Sequence, residues 1–272
     1  MRQIIISGSA DSLHSSNTEY NSIRFHRGPA WKTTESERQE LSSGTFKVIS
    51  LFVKLTASPG SGNNYQFTVR NNAVDTSAVV TISDSETEGK IEDLSISIVA
   101  EDLLSLKVVP TSNPDAGRAK WAVVLETEGD GKVFYISGQD NSLNSGLPSE
   151  LNNLDSGSNW ALPALNSVGK EQITPLAGTF KDFYVELDGT AGTGNADGWI
   201  FKPRKNGVES GMVVYVLGSA TTGNDTSNTF SVVAGDTVDL RNTIRGNSAN
   251  VNNRKVMWGI TFECDTVSWN FK

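Results

Sequence analysis

The chain has 272 residues and carries 31 acidic against 23 basic side chains, a net charge of −8. No segment concentrates lysine and arginine, so binding to nucleic acid through the phosphate backbone is not expected. The single cysteine, Cys264, excludes a disulfide within the chain, and 25 glycines without a long helix-forming run are typical of an all-β protein rich in turns.

The apolar run after Arg2 is shorter than the hydrophobic region of a signal peptide and far shorter than a membrane span. We therefore expect a protein that is made in the cytoplasm and that associates with no membrane.

Apolar and polar residues alternate with a period of two along both halves of the chain, which predicts strands with one packed and one solvated face. The strands are expected around residues 46–55, 65–69, 80–82, 94–98, 104–108 and 121–125, and again around 183–187, 199–201, 214–216, 230–232, 238–240 and 258–262. An N-terminal strand and one or two between residues 19 and 42 bring each half to about eight, which favours a two-sheet sandwich of jelly-roll topology. The segment Thr34–Leu41 is consistent with either a short helix or an edge strand.

The second half of the sequence repeats the first. A shift of 134 residues carries Gly44–Lys47 onto Gly178–Lys181, and after a three-residue insertion Trp121 meets Trp258. The starts of the copies also match, as Ile6-Ser7-Gly8 and Ile136-Ser137-Gly138. We predict two tandem jelly-roll-like β-sandwich domains, residues 1–127 and 132–272, that arose by internal duplication.

Residues that could support catalysis or metal binding are few. Both histidines, His14 and His26, lie in the first copy, far from Cys264, which disfavours a metal site or a nucleophile activated by histidine. We predict no enzyme activity, no catalytic residue, no metal ligand and no cofactor. The glycine-rich loop Gly189–Gly198 lacks the Gly-Lys-Ser/Thr ending of a phosphate loop and is interpreted as a connection between strands.

Calcium binding by loop acids is left open. Asp84, Glu86 and Glu88 alternate, and Asp225, Asp236 and Asp239 are spaced more loosely. Neither set has the spacing of a calcium loop, so solvated carboxylates in turns are favoured.

Five of the six tryptophans divide into two groups. Trp121 and Trp258 occupy equivalent positions on alternating strands and are predicted to anchor the two cores. Trp31, Trp160 and Trp199 are the candidates for glycan contact if the protein binds carbohydrate.

The last residues, 266–272, alternate like a strand but lie beyond the final strand of the second copy. Trp269 and Phe271 in this segment are predicted to pair with the edge of a neighbouring subunit or domain, and docking on their own sandwich is the alternative.

The runs GTF, FTVR, VDT and VTISD of residues 44–84, followed by Ala119-Lys120-Trp121, resemble a module of virion proteins from tailed phages and related viruses. The resemblance covers residues 44–125 and 178–263, and the second copy departs from it at Pro203 and in the loop before Trp258. It implies a jelly-roll domain that forms trimers on capsids, so that the leading expectation is a capsid decoration (cement) subunit located in the virion. Its partners would be sibling subunits and capsid proteins. The alternatives are a double-jelly-roll major capsid protein and a carbohydrate- or receptor-binding module of a tail or fibre.

Overall fold

The computed structural model of the protein describes residues 2–9, 11–24, 30–127, 133–140, 143–155 and 170–264. The chain divides into two compact units, the first of Met1–Glu40 with Thr45–Gly131 and the second of Leu41–Gly44 with Lys132–Lys272. Both are built of antiparallel strands, and the described residues include two short 3-10 helices, Glu35–Glu37 and Ser248–Asn250. The prediction of an all-β protein is confirmed.

Ten strands form two antiparallel sheets in the first unit. They are β1 (Arg2–Gly8), β2 (Glu19–Asn21), β3 (Glu40–Leu41), β4 (Phe46–Leu55), β5 (Gly60–Asn71), β6 (Val74–Asp84), β7 (Glu88–Ile91), β8 (Ile96–Ile98), β9 (Leu103–Thr111) and β10 (Ala119–Thr127). One sheet has the order β1-β10-β4-β7, with β8 also on β4, and the other has the order β2-β9-β5-β6, with β3 also on β9.

Eleven strands form the two antiparallel sheets of the second unit. They are β11 (Val133–Asp140), β12 (Ser149–Asn152), β13 (Gln172–Ile173), β14 (Gly178–Leu187), β15 (Gly198–Lys205), β16 (Val208–Glu209), β17 (Val214–Leu217), β18 (Thr222–Asp225), β19 (Phe230–Val232), β20 (Thr237–Arg245) and β21 (Val256–Cys264). One sheet has the order β11-β21-β14-β18, with β19 also on β14. The other has the order β12-β20-β15-β16, with β13 on β20 and β17 on β15.

Trp31 joins the two sheets of the first unit into one core. Its ring lies 5.5 Å from that of Trp121 on β10 and 6.4 Å from that of Phe67 on β5, measured between centroids. The Trp121 indole N–H donates to the Ile23 carbonyl over 2.8 Å, so the buried ring leaves no polar atom unpaired.

The core of the second unit likewise draws on both sheets, since Phe180 of β14, Phe201 of β15 and Trp258 of β21 belong to one buried cluster. The Trp258 indole donates to the Leu154 carbonyl over 2.8 Å. The prediction that Trp121 and Trp258 anchor the two cores is confirmed, and Cys264 is buried, as expected for a structural thiol.

Two of the hairpin turns each contain two successive residues with positive φ. Asn72 and Ala73 have φ of 50° and 60°, and Asn206 and Gly207 have φ of 49° and 77°. Two successive positive φ values define a type I′ turn, which joins β5 to β6 and β15 to β16. The segment Thr34–Leu41 contains both alternatives left open, the 3-10 helix and then β3.

The predicted match between the two N-terminal strands is wrong by one residue. Ser7 lies opposite Trp121, and Gly138 lies opposite Trp258. Ser7 therefore corresponds to Gly138, whereas Ile6 does not correspond to Ile136. A shift of one residue moves a side chain to the other face of a sheet. Ile6 is accordingly 80% exposed while Ile136 packs against the core. Three consecutive isoleucines, at positions 4 to 6, provide no alternation that could reveal the register.

Candidate interaction surface

The outer face of the sheet that contains β1 is apolar in the first unit. Ile4 and Ile6 are 63% and 80% exposed, whereas Ile5 between them is 7% exposed. Because side chains alternate along a strand, Ile5 points into the sandwich and its two neighbours point away from it. Two isoleucines of one short strand therefore face solvent together.

The same face continues across the sheet. Ile6 lies opposite Ala122 of β10, which lies opposite Phe52 of β4, and Ile4 lies opposite Val124. We call these five residues the apolar face. An open depression of about 610 Å³ borders it and is lined by Ile6, Phe52 and Ala122, with charged side chains at one end. Clusters of exposed apolar side chains that are bordered by polar residues mark sites where a protein binds a partner.

The charges at that end are largely paired with each other. Lys54 Nζ lies 3.3 Å from Glu88 Oε2, and Lys90 Nζ lies 2.5 Å from Glu92 Oε2. The hydrogen bond that Lys90 donates to the Glu92 carboxylate raises the pKa of Lys90. Both pairs are exposed to solvent, which screens their attraction, so they act mainly as a polar border to the apolar face.

Strand β1 is also an edge, since β10 is its only neighbour among the described residues. Exposed edges usually carry charges, are very short or have irregular pairing, because an unprotected edge invites another strand. The edge strand β6 has polar outward residues and two register shifts against β5, and the edge strand β7 has four residues with Glu88 and Lys90 among them. Strand β1, with Ile4 and Ile6, has none of these protections between Gln3 and Gly8.

Two of the three candidates for glycan contact, Trp31 and Trp199, are described by the structure, and neither belongs to the apolar face. Trp31 is 6% exposed, Trp199 is fully buried, and the Trp199 indole donates to the Asn252 carbonyl over 3.0 Å. Neither ring offers a face on which a sugar could stack, which argues against that role. Trp160 lies outside the described residues, as do His26, Trp269 and Phe271.

Five of the six acidic residues considered for calcium accept hydrogen bonds or form ion pairs within the protein. The Asp225 carboxylate accepts hydrogen bonds from the backbone N–H groups of Val213, Ser227 and Asn228. Burial acts to raise the pKa of Asp225, but these bonds outweigh it and the pKa is lowered. Asp239 pairs with a buried arginine, at 2.6 Å between Arg204 Nη2 and Asp239 Oδ2.

In the first unit, Asp84 Oδ1 accepts from Gly62 N–H over 2.7 Å, and Glu88 pairs with Lys54. Across the described ranges, no group of three or more His, Cys, Asp or Glu side chains is placed to hold a metal ion. No helix in these ranges is long and apolar enough to span a membrane.

The loop Gly189–Gly198 connects β14 to β15, as predicted. Asp197 fixes it to the loop before β21, since its carboxylate accepts from Asn247 N–H at 2.7 Å and from Asn250 Nδ2 at 2.9 Å. A Cβ atom added at Gly194 or Gly246 would come within 2.2 Å or 2.0 Å of that carboxylate. The glycines therefore serve the close packing of two loops.

No family model matches the chain, and no curated protein sequence matches it. The two units can be compared with each other instead. In the second unit, the residues of β11 that face away from the core are buried, with Tyr135 8%, Ser137 6% and Gln139 3% exposed. The apolar face of the first unit thus has no exposed counterpart at the corresponding strand of the second.

Proposed function

We propose that the protein is a structural virion subunit, specifically a capsid decoration (cement) protein built from two jelly-roll domains that arose by duplication. The strand orders support the jelly roll. The main path of one sheet in the first unit is β1-β10-β4-β7 and that of the other is β2-β9-β5-β6, so the chain crosses repeatedly between the two sheets and its first and last strands lie side by side. The second unit has the corresponding paths β11-β21-β14-β18 and β12-β20-β15-β16.

Matching polar contacts support the duplication. Asn72 Nδ2 donates to Asp102 Oδ1 over 2.7 Å, and Asn206 Nδ2 donates to Asp236 Oδ1 over 2.7 Å. The Trp121 and Trp258 indoles donate to backbone carbonyls at the same distance of 2.8 Å. Hydrogen bonds repeated at the same interval as the sequence are what two copies of one ancestral domain would retain.

The observation that carries the functional proposal is the apolar face of the first unit. Its exposed isoleucines lie on a rigid sheet, where a partner could bury them without reshaping the domain. Burial of Ile4 and Ile6 against a capsid protein or a sibling subunit would stabilise the contact by about 25 cal/mol per Å² of apolar area removed from water. The subunit would form a trimer with six similar domains. By binding several neighbouring capsid proteins at once, the trimer would hold them together.

The test is a native mass measurement on the purified protein, alone and after incubation with purified capsids of its cognate virus. We expect a homo-oligomer that binds the capsids and raises their resistance to heat. Ile4→Lys should weaken the binding, whereas Val74→Lys serves as a control because Val74 is 67% exposed on a different edge strand. A monomer that does not bind the capsids would contradict the proposal.

A second candidate is a double-jelly-roll major capsid protein. The observation in its favour is that one chain carries two units of the same strand order. Such a protein would form shells, so electron microscopy of the concentrated protein alone separates the two roles. Closed shells would favour the capsid protein, and discrete small oligomers would favour the decoration subunit.

A further inference from the structure

We propose that the open depression on the outer face of the first unit binds a free anionic amphiphile, a molecule with one alkyl chain and a negatively charged head. The alkyl chain would lie over Ala122, between Ile6 and Phe52, and the head would contact Lys120. The inference goes beyond the proposed function, which concerns protein partners, and it can be tested without capsids. Ile4 of the apolar face lies outside the depression.

The depression lies between two rows of outward side chains that run across the strands. Ile6, Ala122 and Phe52 lie side by side on β1, β10 and β4 and form the apolar row. Two residues away along the strands, Lys120 of β10 lies opposite Lys54 of β4, and these two form the charged row. Two residues of a strand span about 7 Å, so one small molecule in the depression can contact both rows.

The apolar row has the shape of a site for one alkyl chain. The side chain of Ala122 ends at Cβ, whereas the side chains of Ile6 and Phe52 on either side of it are large, so the centre of the row is low. Across three strands the row spans about 10 Å. The volume of about 610 Å³ lies in the range of small-molecule sites, which are mostly apolar with a few placed polar groups.

The charges that line the depression favour an anion. Lys54, Lys90 and Lys120 line it together with a single carboxylate, that of Glu88. Glu88 pairs with Lys54, and Lys90 pairs with Glu92, which does not line the depression. Lys120 forms no ion pair with any residue that the structure describes. One positive charge beside the apolar row therefore has no counterion from this part of the protein.

The position of Lys120 carries a cost that a bound anion would relieve. Lys120 and Lys54 lie directly opposite each other on neighbouring strands, and like charges in that position destabilise a sheet. A Cβ atom added at Gly8 would come within 3.3 Å of Lys120 Cγ, so the stem of this lysine lies against β1 at the border of the depression. A negatively charged head beside Lys120 would offset the repulsion between the two lysines.

A free molecule fits these observations better than the surface of a membrane does. The protein has a net charge of −8, which an anionic membrane repels, and attraction to such a membrane requires several clustered basic residues. Glu88 and Glu92 beside the lysines act against that attraction as well. A single amphiphile needs only the local charge of Lys120 and the apolar row.

The experiment measures the binding of octanoate and of octanol to the full chain by nuclear magnetic resonance titration, with both probes as monomers in solution. The two probes share an alkyl chain and differ in the charge of the head. We expect one octanoate per chain, with the largest shifts at the backbone amides around Ala122. Octanoate should bind about tenfold more tightly than octanol, because its carboxylate forms a charge-assisted hydrogen bond with Lys120.

Two variants address the site, and each has a matched control. Lys120→Gln should weaken the binding of octanoate about tenfold and leave that of octanol unchanged. Arg118→Gln makes the same charge change at an exposed position outside the depression and should alter neither. Ala122→Trp fills the centre of the depression and should abolish the binding of both probes. Ile4→Trp adds the same ring at a position that is 63% exposed and should not.

Thermal unfolding verifies that each variant is folded, and the comparison of octanoate with octanol in Lys120→Gln remains decisive if Ala122→Trp is not. Equal affinity of the wild type for the two probes would overturn the inference. So would octanoate binding that survives Lys120→Gln unchanged.

Cosedimentation with phosphatidylglycerol vesicles distinguishes a free amphiphile from a membrane lipid. We expect the wild type to remain in the supernatant. Sedimentation of the wild type but not of Lys120→Gln with the vesicles would overturn the proposal of a free ligand.

Discussion

The side chain of Asn72 donates a hydrogen bond of 2.7 Å to the carboxylate of Asp102 and so joins the turn after β5 to the turn before β9. Two further bonds complete the contact, from Val99 N–H to Asp102 Oδ2 at 2.8 Å and from Leu103 N–H to Asn72 Oδ1 at 2.9 Å. Asn206 and Asp236 make the same three bonds in the second unit. There the bonds from Val233 N–H and from Asn206 Nδ2 lower the pKa of Asp236.

The Asn72–Asp102 contact should contribute measurably to stability. Asp102 is 9% exposed, and Asp102→Ala would leave the backbone N–H of Val99 and the side-chain amide of Asn72 without their acceptor. We expect a loss of about 1–3 kcal/mol in the free energy of unfolding of the first unit. Denaturant unfolding followed by tryptophan fluorescence measures it.

A double-mutant cycle identifies the contact as the cause of the loss. Asn72→Ala combined with Asp102→Ala should cost less than the sum of the two single changes, because each removes the same bond. Ser77→Ala, at an exposed position on β6, should change stability by less than about 0.5 kcal/mol. Strictly additive effects of Asn72→Ala and Asp102→Ala would show that the bond contributes nothing.

The turn at Ala73 carries strain that glycine would relieve. Ala73 has φ of 60°, in the left-handed region, and the equivalent residue of the second unit is Gly207, with φ of 77°. Glycine adopts positive φ without the steric penalty of a Cβ atom, which is about 1–2 kcal/mol. We expect Ala73→Gly to stabilise the first unit by up to about 1 kcal/mol, since the greater freedom of glycine in the unfolded chain offsets part of the gain. A lower denaturation midpoint in Ala73→Gly would contradict this interpretation.

Prediction from the sequence succeeded for features that depend on residues close together in the chain. The period-two pattern located the principal strands, and the tryptophans at 121 and 258 were correctly assigned to the cores because burial of one face is a local property. The turn at Asn206-Gly207 was predictable for the same reason, since these residues tolerate positive φ. In each of these cases, the residues that determine the structure are neighbours in the sequence.

Prediction failed where the outcome depends on distant partners. Trp199 was considered for glycan contact, but its neighbours across the sheet and the Asn252 carbonyl bury it. The ion pair of Arg70 with Glu35 joins residues that the sequence separates widely, at 2.8 Å between Arg70 Nε and Glu35 Oε1. The apolar face was not predicted, because three consecutive isoleucines do not show which side chains point outward.

The buried pair of Arg204 and Asp239 gives the second unit a contact that is sensitive to single substitutions. Arg204 Nε and Nη2 donate to the two carboxylate oxygens at 2.7 Å and 2.6 Å, and the side chains are only 10% and 1% exposed. The hydrogen bond to Asp239 raises the pKa of Arg204, which keeps the guanidinium charged at neutral pH.

Asp239→Leu should destabilise the second unit by about 3–5 kcal/mol, because it leaves a buried guanidinium without its partner. Arg204→Met together with Asp239→Leu should recover most of that loss, since the double variant buries no charge. Lys202→Met removes the exposed pair with Glu209 and should cost no more than about 1 kcal/mol in the same denaturant assay. A double variant as unstable as Asp239→Leu alone would show that the shape of the pair, not its charge, is required.

Glu150 should make the stability of the second unit fall as pH rises. Burial raises the pKa of its carboxyl, with the nearby Asp140 adding to the effect, although hydrogen bonds from Asn242 Nδ2 and Asn144 N–H act in the opposite direction. With a folded-state pKa above the unfolded value near 4.5, the folded unit binds the proton more tightly, so stability declines as pH rises from 4.5 through the folded-state pKa. Glu150→Gln keeps an oxygen acceptor without the charge, and we expect a melting temperature above that of wild type at pH 7, with the difference closing towards pH 4. Glu86→Gln makes the same charge change at an exposed position of the first unit and should not reproduce this dependence on pH. A difference in melting temperature between Glu150→Gln and wild type that does not vary with pH would exclude titration of Glu150 as its cause.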